Sequence, residues 1–190
     1  MFNQPTTPLS ALESEHRRIE SMLDIFEGWS AGLRKGMSVD PDAVDEGLDF
    51  IRTFADRWHH GREEDLLFPA IELAEPGTKD SVLRVMRHEH DEGRALIALA
   101  ATANQGVRDG EEKAATKLAG ALNGFAMLLR QHIYKEDNVL FRMADQWLDD
   151  EEMSELATAF AAKEEALGVE LPDRYQMVLM RLKQVVAQPL

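Results

Sequence analysis

Two stretches of this chain repeat one arrangement of metal-binding side-chain types. His59-His60-Gly61-Arg62-Glu63-Glu64-Asp65-Leu66-Leu67-Phe68 and His132-Ile133-Tyr134-Lys135-Glu136-Asp137-Asn138-Val139-Leu140-Phe141 share the pattern HxxxE[ED][DN][LV]LF. Residues four apart on a helix lie one above the other, roughly 6 Å along the axis. One helical turn therefore points an imidazole and a carboxylate at the same spot. Imidazole supplies a neutral nitrogen, and two carboxylates can each bridge two cations while offsetting part of their charge. Such a composition suits iron, manganese or zinc in a binuclear centre.

A second pair of segments supplies one further histidine each. Glu15-His16 sits among Leu9, Leu12, Ile19 and Leu23, and Glu89-His90 sits at identical offsets among Leu83, Met86, Gly93 and Ile97. Only Gly93 departs in character, standing where the first copy has Ile19. The interval from His16 to His59 nearly equals that from His90 to His132, so the chain reads as two helix pairs. Each pair gives one His and then one His-x-x-x-Glu. A lone histidine at such a position is most simply a hydrogen-bonded core residue. Four histidines and two glutamates turned inward together would cost several kcal/mol each unless something compensates them. A metal is the simplest compensation.

The sequence resembles the hemerythrin-like (HHE cation-binding) family through Glu15-His16, the HHxxEExLLFP stretch from His59 to Pro69, Glu89-His90 and His132-x-x-x-Glu136. The resemblance covers about residues 9 to 148. It implies a four-helix bundle around two non-haem iron ions with an oxo or hydroxo bridge, serving dioxygen binding, oxygen or iron sensing, or related redox roles. The implied metal ligands are His16, His59, Glu63, His90, His132 and Glu136. Two departures stand out. Hemerythrin proper has two histidines one turn apart on its third helix, whereas Met86 precedes His90 here. It also takes its second bridge from an aspartate five residues after the last histidine, a position held here by Asp137; the internal repeat favours Glu136, with Asp137 as the alternative. His60 is a candidate for the missing imidazole, since on a helix it points about 100° from His59 and about 60° from Glu63. Without it, the nearest metal keeps an open or water-filled position.

Helices must carry these residues. Pro5 and Pro8 suggest initial coil, and Ser10 with Glu13 has the form of a capping box opening a helix that runs to about Leu33. A second helix runs from Pro41 to about Leu73 and ends at Glu75-Pro76-Gly77. Asp80 or Ser81 opens a third that fades near Asn104 to Gly110, and the fourth runs from about Glu111 into Trp147. Short connections favour an all-α, up-down-up-down four-helix bundle over residues 1–150. Residues 151–190 form a separate extension. In it Met153, Leu156 and Phe160, then Tyr175, Val178, Leu179, Leu182 and Val186, keep three- and four-residue spacing around a break at Gly168 to Pro172. This predicts two additional helices, packed on the bundle or against a second subunit as a homodimer contact. The acidic run Asp149 to Glu152 reads as the solvated start of the first of them.

Composition bounds the rest. At 190 residues and 44% apolar content the chain suits one domain with an appendage. The lack of cysteine removes disulfides, thiolate metal sites and cysteine nucleophiles. A net charge of -14 opposes binding to nucleic acid or to an anionic membrane. The first ten residues lack the order of a secretory signal, and the longest apolar run, Ala95 to Ala103, is too short to span a bilayer, so the expected location is cytoplasmic. His88, about 200° round the helix from His90, is assigned to the surface. Glu64 and Asp137 read as solvated or salt-bridged helix faces, and Phe54, Phe68, Phe125 and Phe141 as core. Trp58 and Tyr134 are expected to point away from the metals.

The leading functional expectation is a binding protein that takes up or responds to dioxygen, another diatomic, peroxide, iron or redox state. The alternatives are a di-iron redox enzyme acting on peroxide, nitric oxide or ferrous iron, and a metal-dependent interaction protein. Iron rests on the resemblance, because nitrogen and oxygen sites also accept zinc or manganese.

Overall fold

The computed structural model describes residues 7–78 and 81–186, and among them the chain is helical apart from short turns, with no strand. Helix α1 spans Pro8–Arg34, α2 spans 41–74, α3 spans Val82–Arg108 and α4 spans 114–147. Two further helices follow, α5 over Asp150–Leu167 and α6 over Leu171–Val186. Each of the first four packs along its neighbours: α1 on α4, α4 on α3, and α3 on α2.

Several boundaries differ from those the sequence suggests. The first helix is capped by Thr7 rather than Ser10: the Thr7 hydroxyl accepts from the Ser10 amide at 3.1 Å, with Pro8 in the first turn where its missing N–H costs nothing. Pro5 and Asp80 lie outside the described residues, as does the side chain of Val186. At the start of α3, Ser81 flanks the helix but its hydroxyl turns back to the carbonyls of Gly77 and Thr78. The fourth helix begins at Ala114 rather than Glu111, because Gly110 and Lys113 both take left-handed backbone and the chain turns twice before it can coil. The acidic run before α5 closes a full capping box, Asp149 on the amides of Glu151 and Glu152 and Glu152 back on the Asp149 amide.

Two apolar clusters fill the interior, with a polar layer between them. The larger joins Ile19, Leu23, Phe26, Phe54, Phe125 and Leu129 to Tyr175, Leu179 and Leu182 of α6. The smaller joins Leu12, Phe68, Met86 and Phe141 to Leu156 and Phe160 of α5. Both C-terminal helices thus bury their apolar faces on the chain's own core. No described helix is long and apolar enough to cross a membrane.

Candidate metal centre

In the polar layer α2 and α4 are not regular α-helices. Their turns widen to an i→i+5 pattern over Ile51–His60 and Glu63–Leu67 in α2 and over Glu136–Leu140 in α4. Such turns cluster at functional sites because they re-aim side chains. With more residues per turn, a residue and its fourth successor fall closer to one line, and consecutive residues diverge less round the axis. The widened turns bring His59, His60 and Glu63 to the interior together, all buried.

The result is two half-sites sharing two carboxylates. His16 of α1 and His59 of α2 bring their Nε2 atoms within 3.0 Å, and His90 of α3 and His132 of α4 do the same at 3.0 Å. Glu63 lies between them, one oxygen 3.5 Å from His59 Nε2 and the other 3.6 Å from His90 Nε2. Glu136 mirrors it, with oxygens 3.3 Å from His16 Nε2 and 3.2 Å from His132 Nε2. His60 stacks on His90 with ring centroids 3.8 Å apart. Donor atoms converge in two groups: His16, His59, Glu63 and Glu136 in one, and His60, His90 and His132 in the other.

Charge in this layer is unbalanced by protein groups alone. Burial disfavours the cationic form of His16, but the hydrogen bond to Asp137 and the negative charge of Glu136 outweigh it and raise the imidazole to about 9. For His132 burial is likewise overcome, by Glu136 and Glu89, and the value rises to about 10. Burial dominates at His59 and His60, lowered to about 4, and at His90, lowered to about 3. Both oxygens of Glu63, both of Glu136 and Nε2 of His60 are buried without a hydrogen-bond partner among the described residues. Leaving such atoms unpaired is expensive. These orphaned atoms are lone-pair donors aimed into a common space, and cations seated between them would satisfy all five at once. The donor set therefore fits metal ions.

The hemerythrin HHE cation binding domain family model matches residues 7–144. The chain belongs to that family. Relatives from Mycobacterium tuberculosis, the uncharacterized protein Rv1995, and from Mycobacterium bovis, the uncharacterized protein Mb2018, are each 25% identical over 160 residues. Each alignment covers 84% of this chain and 62% of the relative, so the chain spans less than two thirds of their length. No solved structure matches.

Around the hemerythrin-type donor set runs a second ring. Every inward imidazole donates its Nδ1–H to a carboxylate: His16 to Asp137 at 2.6 Å, His59 to Glu15 at 2.9 Å, His60 to Asp56 at 3.4 Å, His90 to Glu64 at 2.6 Å and His132 to Glu89 at 2.9 Å. This fixes each ring and leaves Nε2 facing inward. Basic residues hold the carboxylates in turn: Arg17 on Asp137, Arg62 on Glu15, Lys135 on Glu89, and Arg94 on both Asp56 and Glu64.

Of the residues expected at the site, His16, His59, His60, Glu63, His90, His132 and Glu136 all meet in this layer, whereas Asp137 sits behind His16. Glu64 and Asp137 are salt-bridged, to Arg94 and Arg17, and beyond that expectation each anchors a histidine. Their recurrence at the same offset in both repeats was the available sign. Trp58 also belongs to this ring, its indole N–H donating to Glu15 at 2.7 Å. His88 is on the surface, its side chain 71% exposed, and Tyr134 points outward. A cavity of about 180 Å³ reaches His60 and His90 from the surface, walled by Ile51, Ile97, Phe125 and Leu129. It passes over Gly93, which lacks the side chain that Ile19 has at the equivalent place.

Proposed function

We propose that this hemerythrin-family chain holds two metal ions side by side, iron in the cell, and uses them to take up or sense dioxygen or a related small ligand. The observation that carries the reading is the pair of buried glutamates, each offering one oxygen to either half-site. In this reading His16 and His59 would hold one ion and His60, His90 and His132 the other, with Glu63 and Glu136 contributing to both. The core helices run up-down-up-down with α5 and α6 added outside.

Counting donors assigns different tasks to the halves. The His60 side has three imidazoles and two carboxylate oxygens, whereas the His16 side has two imidazoles and two carboxylate oxygens. The His16 side thus has one more coordination position unfilled by protein, whereas the cavity from the surface reaches the His60 side. Bound iron supplies reversible redox chemistry and coordination positions for that ligand. The protein's own part is to orient the imidazoles through their carboxylate partners and to keep bulk water out with Phe68 and Phe141, which stack on His90 and His16.

The test is to load purified protein with ferrous iron without air, admit oxygen, and count iron per chain while recording the visible spectrum. About two irons per chain and an oxygen-dependent absorption band are expected; fewer irons or no band would sink the reading. Following the loss of added peroxide in the same sample separates a carrier or sensor from a redox enzyme.

A further inference from the structure

The two half-sites are built from a repeat, yet their outer support differs. In one half, Glu89 holds His132 and is itself held by Lys135, a side chain 35% exposed to solvent. The equivalent positions in the other half are Glu15, His59 and Arg62, and there the supporting cation has no exposed surface. What buries it is α5, a helix beyond the end of the family match at residue 144.

The contacts are specific. The Arg62 guanidinium lies between the rings of Trp58 and Phe160, 5.1 and 5.0 Å from their centroids. Its Nε donates to the Trp58 carbonyl at 3.1 Å, one terminal nitrogen donates to Glu15, and the other donates to Glu164 of α5. Lys163, also on α5, donates to the Gly61 carbonyl at 2.5 Å, between the two widened stretches, and pairs with Asp65 in the second of them. A planar guanidinium suits this place because it can stack on two rings while donating in three directions. A lysine ammonium has three donors too, but they radiate from a single nitrogen with no planar face to lie between two rings.

We infer that α5 is a selective lock on the His16–His59 half of the metal centre, acting through Arg62 as a positioning residue. Phe160 and Glu164 fix Arg62, Arg62 fixes Glu15, and Glu15 sets the ring of His59. No such chain reaches His132, whose support ends at a half-exposed lysine. Releasing Arg62 from Phe160 and Glu164 therefore weakens the metal at His16 and His59 and spares the other. The inference rests on the two-metal reading above.

The test titrates the full-length metal-free chain with cobalt(II), reading bound metal by equilibrium dialysis and visible absorption, in wild type and in Glu164→Gln, Arg62→Lys and Lys135→Met. Separately, the Nδ1–H resonances of His59 and His132 are followed in the metal-free protein. Loss of a partner behind a ligand histidine typically costs about 10- to 100-fold in metal affinity. Arg62→Lys should weaken one cobalt site by about tenfold, Glu164→Gln should weaken the same site by a smaller factor, and both should leave the other site unchanged. The His59 resonance should move or broaden while that of His132 stays; Lys135→Met should do the reverse. Equal weakening of both sites, or no weakening, overturns the lock. If Arg62→Lys does not fold, Glu164→Gln decides, because Glu164 lies at the partly exposed end of the chain of contacts. Wild type binding fewer than two cobalt ions overturns the two-metal reading, and the resonances of the metal-free protein then still decide the coupling.

Discussion

Glu63 and Glu136 occupy equivalent places in the repeat, but their surroundings push their carboxyl groups in opposite directions. Burial and the neighbouring Glu136 push Glu63 well above the ordinary carboxylate range, whereas Glu136, although burial opposes its charge, is held down by His132 and His16. Those two imidazoles, at about 10 and 9, carry protons at neutral pH when no metal is present. A metal can be ligated only by the neutral ring and the ionised carboxylate, so uptake must expel protons. Mixing metal-free protein with zinc in weak buffer should release protons, measured with a pH indicator. Affinity should rise from pH 6 toward pH 9, because the His16 and His132 imidazoles that must lose a proton have folded-state values of about 9 and 10; a pH-independent isotherm would refute this. At the same scale, His60→Ala should weaken one metal and leave the other, while His88→Ala should change neither, as read by metal content after dialysis. The inward residues were legible in the sequence because helical spacing converts directly into a shared direction. Glu64 and Asp137 were legible only in part: their shared offset in the repeat marked them, but one residue beyond a ligand they project beside the core, and the course of the neighbouring helix decides whether a histidine waits there.

At the scale of elements, two glycines show how closely the helices approach. A Cβ on Gly47 of α2 would sit 2.9 and 3.1 Å from ring carbons of Phe26 and Trp29 on α1, so the glycine sets the distance between those helices. Gly120, exposed on α4, has nothing within 4 Å of such an atom. Gly47→Ala should therefore destabilise by about 1–3 kcal/mol through overpacking. Gly120→Ala should stabilise by about 1 kcal/mol through helix propensity alone. Urea unfolding of the two variants checks the pair, and like signs would show that α1 and α2 do not meet as described. The four long helices were readable from spacing and from Pro and Gly at their ends. The widened turns were not. They exchange α-helical hydrogen bonds for the alignment of His59, His60 and Glu63, a choice made by the site and invisible to local propensity.

Across the whole molecule, the buried donors form a layer that splits the apolar interior, and each C-terminal helix serves one side of it. Spacing revealed α5 and α6 as amphipathic helices, yet an apolar stripe does not name the surface that covers it, so packing on the chain's own core and packing on a second subunit looked alike in the sequence. The division has a consequence for stability. Tyr175 of α6 packs edge-on against Phe50 at 5.6 Å and donates its hydroxyl to Asp49 at 2.6 Å, within the larger cluster and away from the donors. Tyr175→Ala should cost about 3–5 kcal/mol, as emptying a large buried aromatic site does. Tyr175→Phe should cost only about 1 kcal/mol for the lost hydrogen bond. Neither should alter the number of metals bound by the folded protein, because the side chain supports apolar packing and no ligand. Phe160→Ala, from the opposite side of the layer, should lower both unfolding free energy and metal affinity, because Phe160 covers Arg62. Measuring both quantities on these variants separates the clusters: loss of metal with Tyr175→Ala at temperatures where the chain remains folded would mean that the layer does not insulate one side of the interior from the other.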